Sequence, residues 1–138
     1  MTGYRDNLVF LLAKAHQRAQ GVLKGHLQAH GLTPVQCLIL ESLFEEEGLS
    51  IGDIGRRLVL DTATLAGVLD RMSTAGWVRR EPDPKDARVA RIHLTERAAS
   101  AVADLVKTIE HANDELANSF SSEEKILFKR FLRDFHPG

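Results

Sequence analysis

Asp86-Ala87-Arg88-Val89-Ala90-Arg91 sets two arginines and a carboxylate within six residues. The stretch falls where two strand-like runs, Trp77 to Glu81 and Arg88 to Leu94, are joined by Pro82-Asp83-Pro84-Lys85-Asp86. That link is rich in turn-forming residues, so the spacing predicts a hairpin with guanidinium groups near its tip. Guanidinium groups carry a fixed positive charge and fork-shaped donors that suit phosphate oxygens. Two short helical segments come directly before the hairpin. A cationic hairpin beside a helix pair is what a winged DNA-binding domain needs, one element entering a groove while the other reaches along the backbone.

The elements that must hold this tip can be read from caps and periodicity. A first helix is expected from about Tyr4 to Ala29, with Leu8, Leu11, Leu12, Ala15, Ala19, Val22, Leu23 and Leu27 as one apolar stripe. Gly31 is placed to stop it. Thr33, Pro34 and Gln36 supply a cap, a first helical residue and a capping box for a second helix. That helix carries Val35, Leu38, Ile39, Leu40, Leu43 and Phe44 and is expected at the centre of the domain. Ser50 caps a short third helix and Asp61 a fourth, which ends at Gly76. Leu65, Val68, Leu69 and Met72 form the inner face of the fourth helix. Thr95 caps a fifth helix reaching about Phe120, and Ser121 starts a sixth that bears Phe128, Phe131 and Phe135. The terminal helices hold more apolar residues than the small middle region needs. They pack either on the first helix of the same chain or on a second copy.

Composition agrees with one globular domain. The chain has 138 residues, 43% of them hydrophobic, and a single cysteine, Cys37, which excludes an internal disulfide framework. No apolar run approaches the roughly 18 residues of a membrane helix. Arg5 and Asp6 precede a mixed amphipathic segment in place of a signal-peptide pattern, so a cytoplasmic protein is expected. The net charge of −1 hides an uneven distribution: residues 56–97 hold nine Lys/Arg against six Asp/Glu, a balance of +3 that leaves −4 elsewhere.

With these residues placed, the chain resembles the MarR family of bacterial winged helix-turn-helix regulators. The likeness is carried by Leu49-Ser50-Ile51-Gly52-Asp53-Ile54, by Leu60-Asp61-Thr62-Ala63-Thr64-Leu65, by Leu69-Asp70-Arg71-Met72 and by Ala75-Gly76-Trp77-Val78. It continues from Arg79 to Asp86 and on to Leu94-Thr95, and the family's Asp-x-Arg-x-x-Arg wing signature is met by Asp86, Arg88 and Arg91. The resemblance implies a mainly α fold with a small β-hairpin wing: a winged helix-turn-helix lobe over residues 33–94 and a helical dimerisation region from 1–32 and 95–138. It implies that Arg88 enters the minor groove, while Asp86 and Arg91 brace the wing through an ion pair and contacts to neighbours. The fourth helix would lie in the major groove, with Thr62 and Thr64 at base edges or phosphates and Arg71 at phosphate. Ala63, Ala66 and Gly67 stand where many relatives carry polar side chains. They allow close approach but no bidentate bonds, so modest direct base readout is expected beside a larger share from shape and phosphates. The other reading of Gly67 is close packing on a neighbouring helix.

Relatives often bind small aromatic or phenolic ligands between the dimerisation helices and the DNA-reading lobe. The residues with useful chemistry at that junction would be His16, His26, His30, Cys37, Glu41 and His111. The His26/His30 and Cys37/Glu41 pairs have i, i+4 spacing and together compose a mixed-ligand zinc alternative, although compact metal spacing is absent. Leu60-Asp61-Thr62-Ala63-Thr64-Leu65 has a slight likeness to the organic-hydroperoxide-sensing branch, but the first helix lacks that branch's cysteine. Cys37 reads as a small core residue. No cofactor is implied. Catalysis is not supported either: Gly48-Leu49-Ser50-Ile51-Gly52 lacks the Lys-Ser/Thr ending of a phosphate loop, and no serine sits in a nucleophile context.

The expectation is therefore a homodimeric, sequence-specific regulator of double-stranded DNA. It would repress from a pseudo-palindromic operator and respond to a small-molecule effector or an oxidant. The rivals are a winged protein-interaction module without DNA binding, and a zinc-responsive DNA-binding regulator.

Overall fold

Side-chain caps set most of the helix boundaries in the computed structural model, which describes residues 3–135. The Oγ1 of Thr33 accepts from the Gln36 amide at 3.2 Å while the Gln36 side chain accepts from the Thr33 amide at 3.0 Å. The same reciprocal box closes at Ser50 and Asp53 and at Ser121 and Glu124. Each satisfies two backbone groups that a helix start otherwise leaves open. These caps open α2 (Pro34–Glu45), α3 (Ile51–Leu58) and α6 (Ser122–Phe135). Asp61 caps α4 (Thr62–Thr74), and Thr95 caps α5 (Glu96–Leu116) by accepting from the Ala98 amide at 3.2 Å. Gly31 and Gly76 take left-handed backbone, φ 67° and 85°, at the ends of the helical segments they were expected to stop.

The first helix is shorter than expected at both ends, giving way to a 3₁₀ turn over Gln28–His30 before Gly31, and the fifth is shorter at its carboxyl end. Residues Tyr4–Asp6 form a separate 3₁₀ turn, and α1 (Leu8–Leu27) starts after Asn7, whose side chain accepts from the Val9 amide at 2.8 Å. The helix α5 ends at Leu116, short of the expected Phe120, because the chain turns through Ala117.

The three strands β1 (Leu49–Ser50), β2 (Val78–Pro82) and β3 (Ala90–Leu94) form an antiparallel sheet in the order β1-β3-β2. The hairpin pairs Val78 with Leu94 through to Pro82 with Ala90. Strand β3 begins two residues later than expected, since Arg88 and Val89 belong to the tip turn, where the Val89 amide donates to the Asp86 carbonyl at 3.0 Å. Strand β1 was not expected at all. At two residues it is too short for alternation to signal, yet it pairs Leu49 with Ile92 and Ser50 with Arg91.

The chain divides into two compact units, residues 27–107 and the described residues on either side. The core of the first contains Ile39, Leu40, Leu43, Ile54, Leu65, Leu69, Met72 and Ile92, all fully buried. The inner face expected for α4 is the buried one. Leu38 departs from the expected burial of α2: it faces outward and is exposed. Gly55 was not singled out by sequence, but a Cβ there would sit 2.9 Å from the Leu60 carbonyl, so a side chain would force the α3–α4 turn apart.

In the other unit, the Arg18 guanidinium donates to the Leu116 carbonyl at 3.0 Å and the Glu115 carbonyl at 3.4 Å, closing the carboxyl end of α5. His26 Nε2 lies 3.2 Å from Glu115 Oε2. The apolar residues of α6, from Ile126 to Phe135, remain 43–66% exposed in the single chain, and Leu8, Val9 and Leu11 of α1 are exposed with them.

Val59, at the end of α3, adopts φ 56° and is 70% exposed. A β-branched residue is strained there, and little burial offsets the strain. Val59→Gly is expected to raise unfolding free energy by up to about 1 kcal/mol, since the strain relieved exceeds the added chain entropy. Urea melts that show an unchanged or lower midpoint at equal slope would refute this.

Candidate nucleic-acid interface

The outward face of α4 is built from small residues. Thr62, Ala63 and Thr64 are exposed, Ala66 and Gly67 are half-buried, and Asp70 and Arg71 are exposed. The close-packing reading of Gly67 is wrong: a Cβ there would meet nothing within 4 Å. Thr64 is less free than its sequence position implied. Its amide donates to Asp61 Oδ1 and its hydroxyl to Asp61 Oδ2, both at 2.8 Å, so the hydroxyl proton is spent inside the cap. Those bonds, the backbone one first, hold the Asp61 carboxyl below its ordinary range. The Thr62 hydroxyl on the same face has no hydrogen-bond partner among the described residues.

The wing tip is held by two carboxylates in series. Asp83, whose side chain is 11% exposed, accepts from the Lys85 amide at 2.7 Å and the Asp86 amide at 3.2 Å. Its other oxygen takes Arg91 Nε at 2.7 Å and Nη2 at 2.6 Å. Asp86 in turn accepts Arg88 Nε at 3.0 Å and Nη2 at 3.1 Å, and the Arg88 amide at 3.1 Å. The Arg88 side chain is nevertheless 91% exposed. Thus Asp86 and Arg91 do not brace the wing through each other. Asp86 holds Arg88, and Arg91 is held by Asp83, with Asp53 at 3.7 Å and the Gly48 carbonyl at 3.3 Å. Asp83 escaped the sequence reading because it lies outside the six-residue signature. Both carboxyls sit below the ordinary range, Asp83 through the Lys85 amide and Arg91, Asp86 through the side chain and amide of Arg88.

Most basic residues of this lobe are already partnered. Arg56 pairs with Asp53, Arg57 with Glu46, Arg79 with Glu81, and Arg80 with Asp70 at 2.6 Å. The Arg97 guanidinium lies 4.1 Å from the Trp77 ring centroid and donates to the Ala75 carbonyl. The Arg71 guanidinium and the Lys85 ammonium have no such partner among the described residues.

The residues expected at an effector pocket fall into two groups. His16 and His111 are exposed, and His26 lines a cleft of about 460 Å³ with Gly21, Val22, Gly25 and Glu115. Cys37 is buried in α2, with its Sγ 3.7 Å from Glu41 Oε1. Among the described residues there is no group of three or more His, Cys, Asp or Glu that could hold a metal ion. No helix among them is long and apolar enough to cross a membrane.

Residues 32–90 match the model of the MarR family, the segment that runs from the start of α2 into the wing. Transcriptional regulator HosA of Escherichia coli O111:H- is 30% identical over 102 residues, a match that covers 74% of this chain and 76% of HosA. The chain belongs to the MarR family. HTH-type transcriptional regulator TtmR of Methylorubrum extorquens is 45% identical over 89 residues, a match that spans 64% of this chain but only 44% of TtmR. Two solved structures share the fold along nearly the whole chain. A mutant of Escherichia coli MarR complexed with operator DNA has a TM-score of 0.88 at 23% identity, covering 96% of this chain and 95% of that one. Bordetella bronchiseptica BpsR, whose DNA binding is regulated by 6-hydroxynicotinic acid, has a TM-score of 0.91 at 22% identity, covering 98% and 96%. TtmR and HosA are both transcriptional regulators.

The Cys37 thiol is pushed up to about 12, first by burial, then by the charge and hydrogen bond of Glu41. A raised thiol has less thiolate at any given pH, by about a thousandfold at pH 8 relative to the unfolded chain. Iodoacetamide is therefore expected to label Cys37 far more slowly in the native protein than in urea. Labelling at similar rates in both would contradict the buried placement.

Proposed function

We propose that this MarR-family chain is a homodimeric, sequence-specific DNA-binding repressor released by a small ligand. The observation that carries the reading is Arg88, a 91% exposed guanidinium at the tip of a pinned wing, beside an α4 surface small enough to approach a groove. Arg88 suits a narrow, electronegative minor groove. On α4, the methyl groups of Thr62, Ala63 and Ala66 suit thymine methyls, with Arg71 left for phosphate. Direct readout is modest and shape supplies more. Such a protein works where the DNA is, in the cytoplasm of a bacterium.

The dimer reading rests on the exposed apolar residues of α6 and α1, a surface that single chains seldom leave to water. A two-fold pair would present its two α4 helices to major grooves about 34 Å apart, hence the pseudo-palindrome. A ligand signal is favoured over an oxidant because the chain's one cysteine is held as thiol. The effector residues remain His16, His26, Cys37, Glu41 and His111, of which His26 lines a cleft. A ligand that prefers a lobe spacing wrong for DNA would weaken binding by its differential affinity.

One observation favours the rival interaction module: most cations of the lobe are spent on internal partners. Selection from random duplex DNA at physiological salt, with Arg88→Ala in parallel, separates the two. A pseudo-palindrome enriched by the wild type and lost in the variant supports the repressor. No enrichment by a folded dimer supports the module. Truncation before Ser121 is expected to leave monomer in light scattering, and an intact dimer would remove α6 from the interface.

A further inference from the structure

We infer that Asp83, which does not face the groove itself, is the positioning residue that fixes the wing arginine for DNA. The inference rests on the reading of Arg88 as a DNA contact and adds the residue that sets its geometry. The argument is one of connectivity. Arg88 is an exposed, long side chain on a seven-residue tip, and such side chains lose rotamer freedom when they bind. Here its guanidinium is already held, by two bonds from Asp86. Asp86 can do this only while its own backbone is fixed. Its amide donates to Asp83 Oδ1, and the adjacent Lys85 amide donates to the same oxygen. The second Asp83 oxygen is held by Arg91, which is anchored outside the tip on the Gly48 carbonyl. The Asp83 amide closes the turn by donating to the Val89 carbonyl at 2.8 Å. Asp83 is therefore the junction between an anchored strand arginine and a presented tip arginine.

The two oxygens have separable tasks. Asn at position 83 keeps an amide oxygen for the Lys85 and Asp86 amides but loses the charge that holds Arg91. Ser keeps a smaller turn acceptor and loses the charge as well. Neither change removes a group that touches DNA.

The test uses the duplex enriched by the wild-type protein, in a cycle of Asp83→Asn, Arg88→Ala and the double variant, with Asp83→Ser as the second substitution. Asp83→Asn is expected to weaken binding about tenfold, and the double variant to bind no more weakly than Arg88→Ala alone. In the free protein the Arg88 Nε–Hε resonance, sharp in the wild type, is expected to broaden or shift toward the solvent-exposed position in Asp83→Asn. Thermal melts and light scattering should show a folded dimer throughout. Multiplying effects in the cycle would mean that Asp83 acts elsewhere and would overturn the inference. So would wild-type affinity in Asp83→Asn, or an unchanged Arg88 resonance. Failure of the wild type to enrich any duplex overturns the DNA reading and this inference together, whereas the first three outcomes leave the DNA reading standing.

Discussion

Arg91 is the point through which the wing is tied to the rest of its lobe. It sits on the central strand of the sheet, where it bonds the wing-tip carboxylate, the carbonyl before β1 and, more distantly, the carboxylate that caps α3. Those three partners come from three parts of the chain. A two-stranded hairpin alone is marginally stable in water and would sway about its base. The third strand and the Arg91 bonds convert it into a fixed projection from the helical core. The orientation of the tip relative to α4 then becomes a property of packing, because Ile92, paired with both Leu49 and Arg80, is fully buried in the same core as α4.

The sequence was most legible where structure is decided by neighbours in the chain. Thr33 with Gln36, Ser50, Asp61, Thr95, Gly31 and Gly76 all act where their local chemistry placed them, because caps and left-handed stops operate within four residues. The burial of α4 was readable for the same reason, from a helical period. What could not be read depends on residues far apart in sequence. The Asp86 side chain has one arginine two residues away and another five away, and spacing cannot say which it holds. Strand β1 exists only because β3 offers it a free edge. Leu38 was counted as buried because α2 is apolar on most sides, and only tertiary packing decides which side is left out.

The electrostatics of the lobe temper what its composition suggested. Nine basic residues between 56 and 97 looked like a footprint for phosphates. Most of that charge instead holds the lobe together, arginine by arginine, at its surface. Exposed pairs of this kind add little stability singly, and in salt they add less. Their larger effect is geometric, since each fixes a long side chain that would otherwise be mobile. Among the described residues the cations of this segment without an internal partner are Arg71 and Lys85, while Arg88 is presented at the tip in its pair with Asp86.

Gly67 has a consequence for how such a protein can change. It lies on the outer side of α4, and a Cβ added there would meet nothing within 4 Å. Replacing glycine inside a helix by almost any other residue improves helix propensity, by about 1 kcal/mol for alanine. New contacts at this position would therefore come with a gain in stability, where most mutations that create function bring a loss. The fold holds a reserve for divergence on the outer side of α4, where descendants of this chain could acquire new side chains without first acquiring compensating substitutions elsewhere.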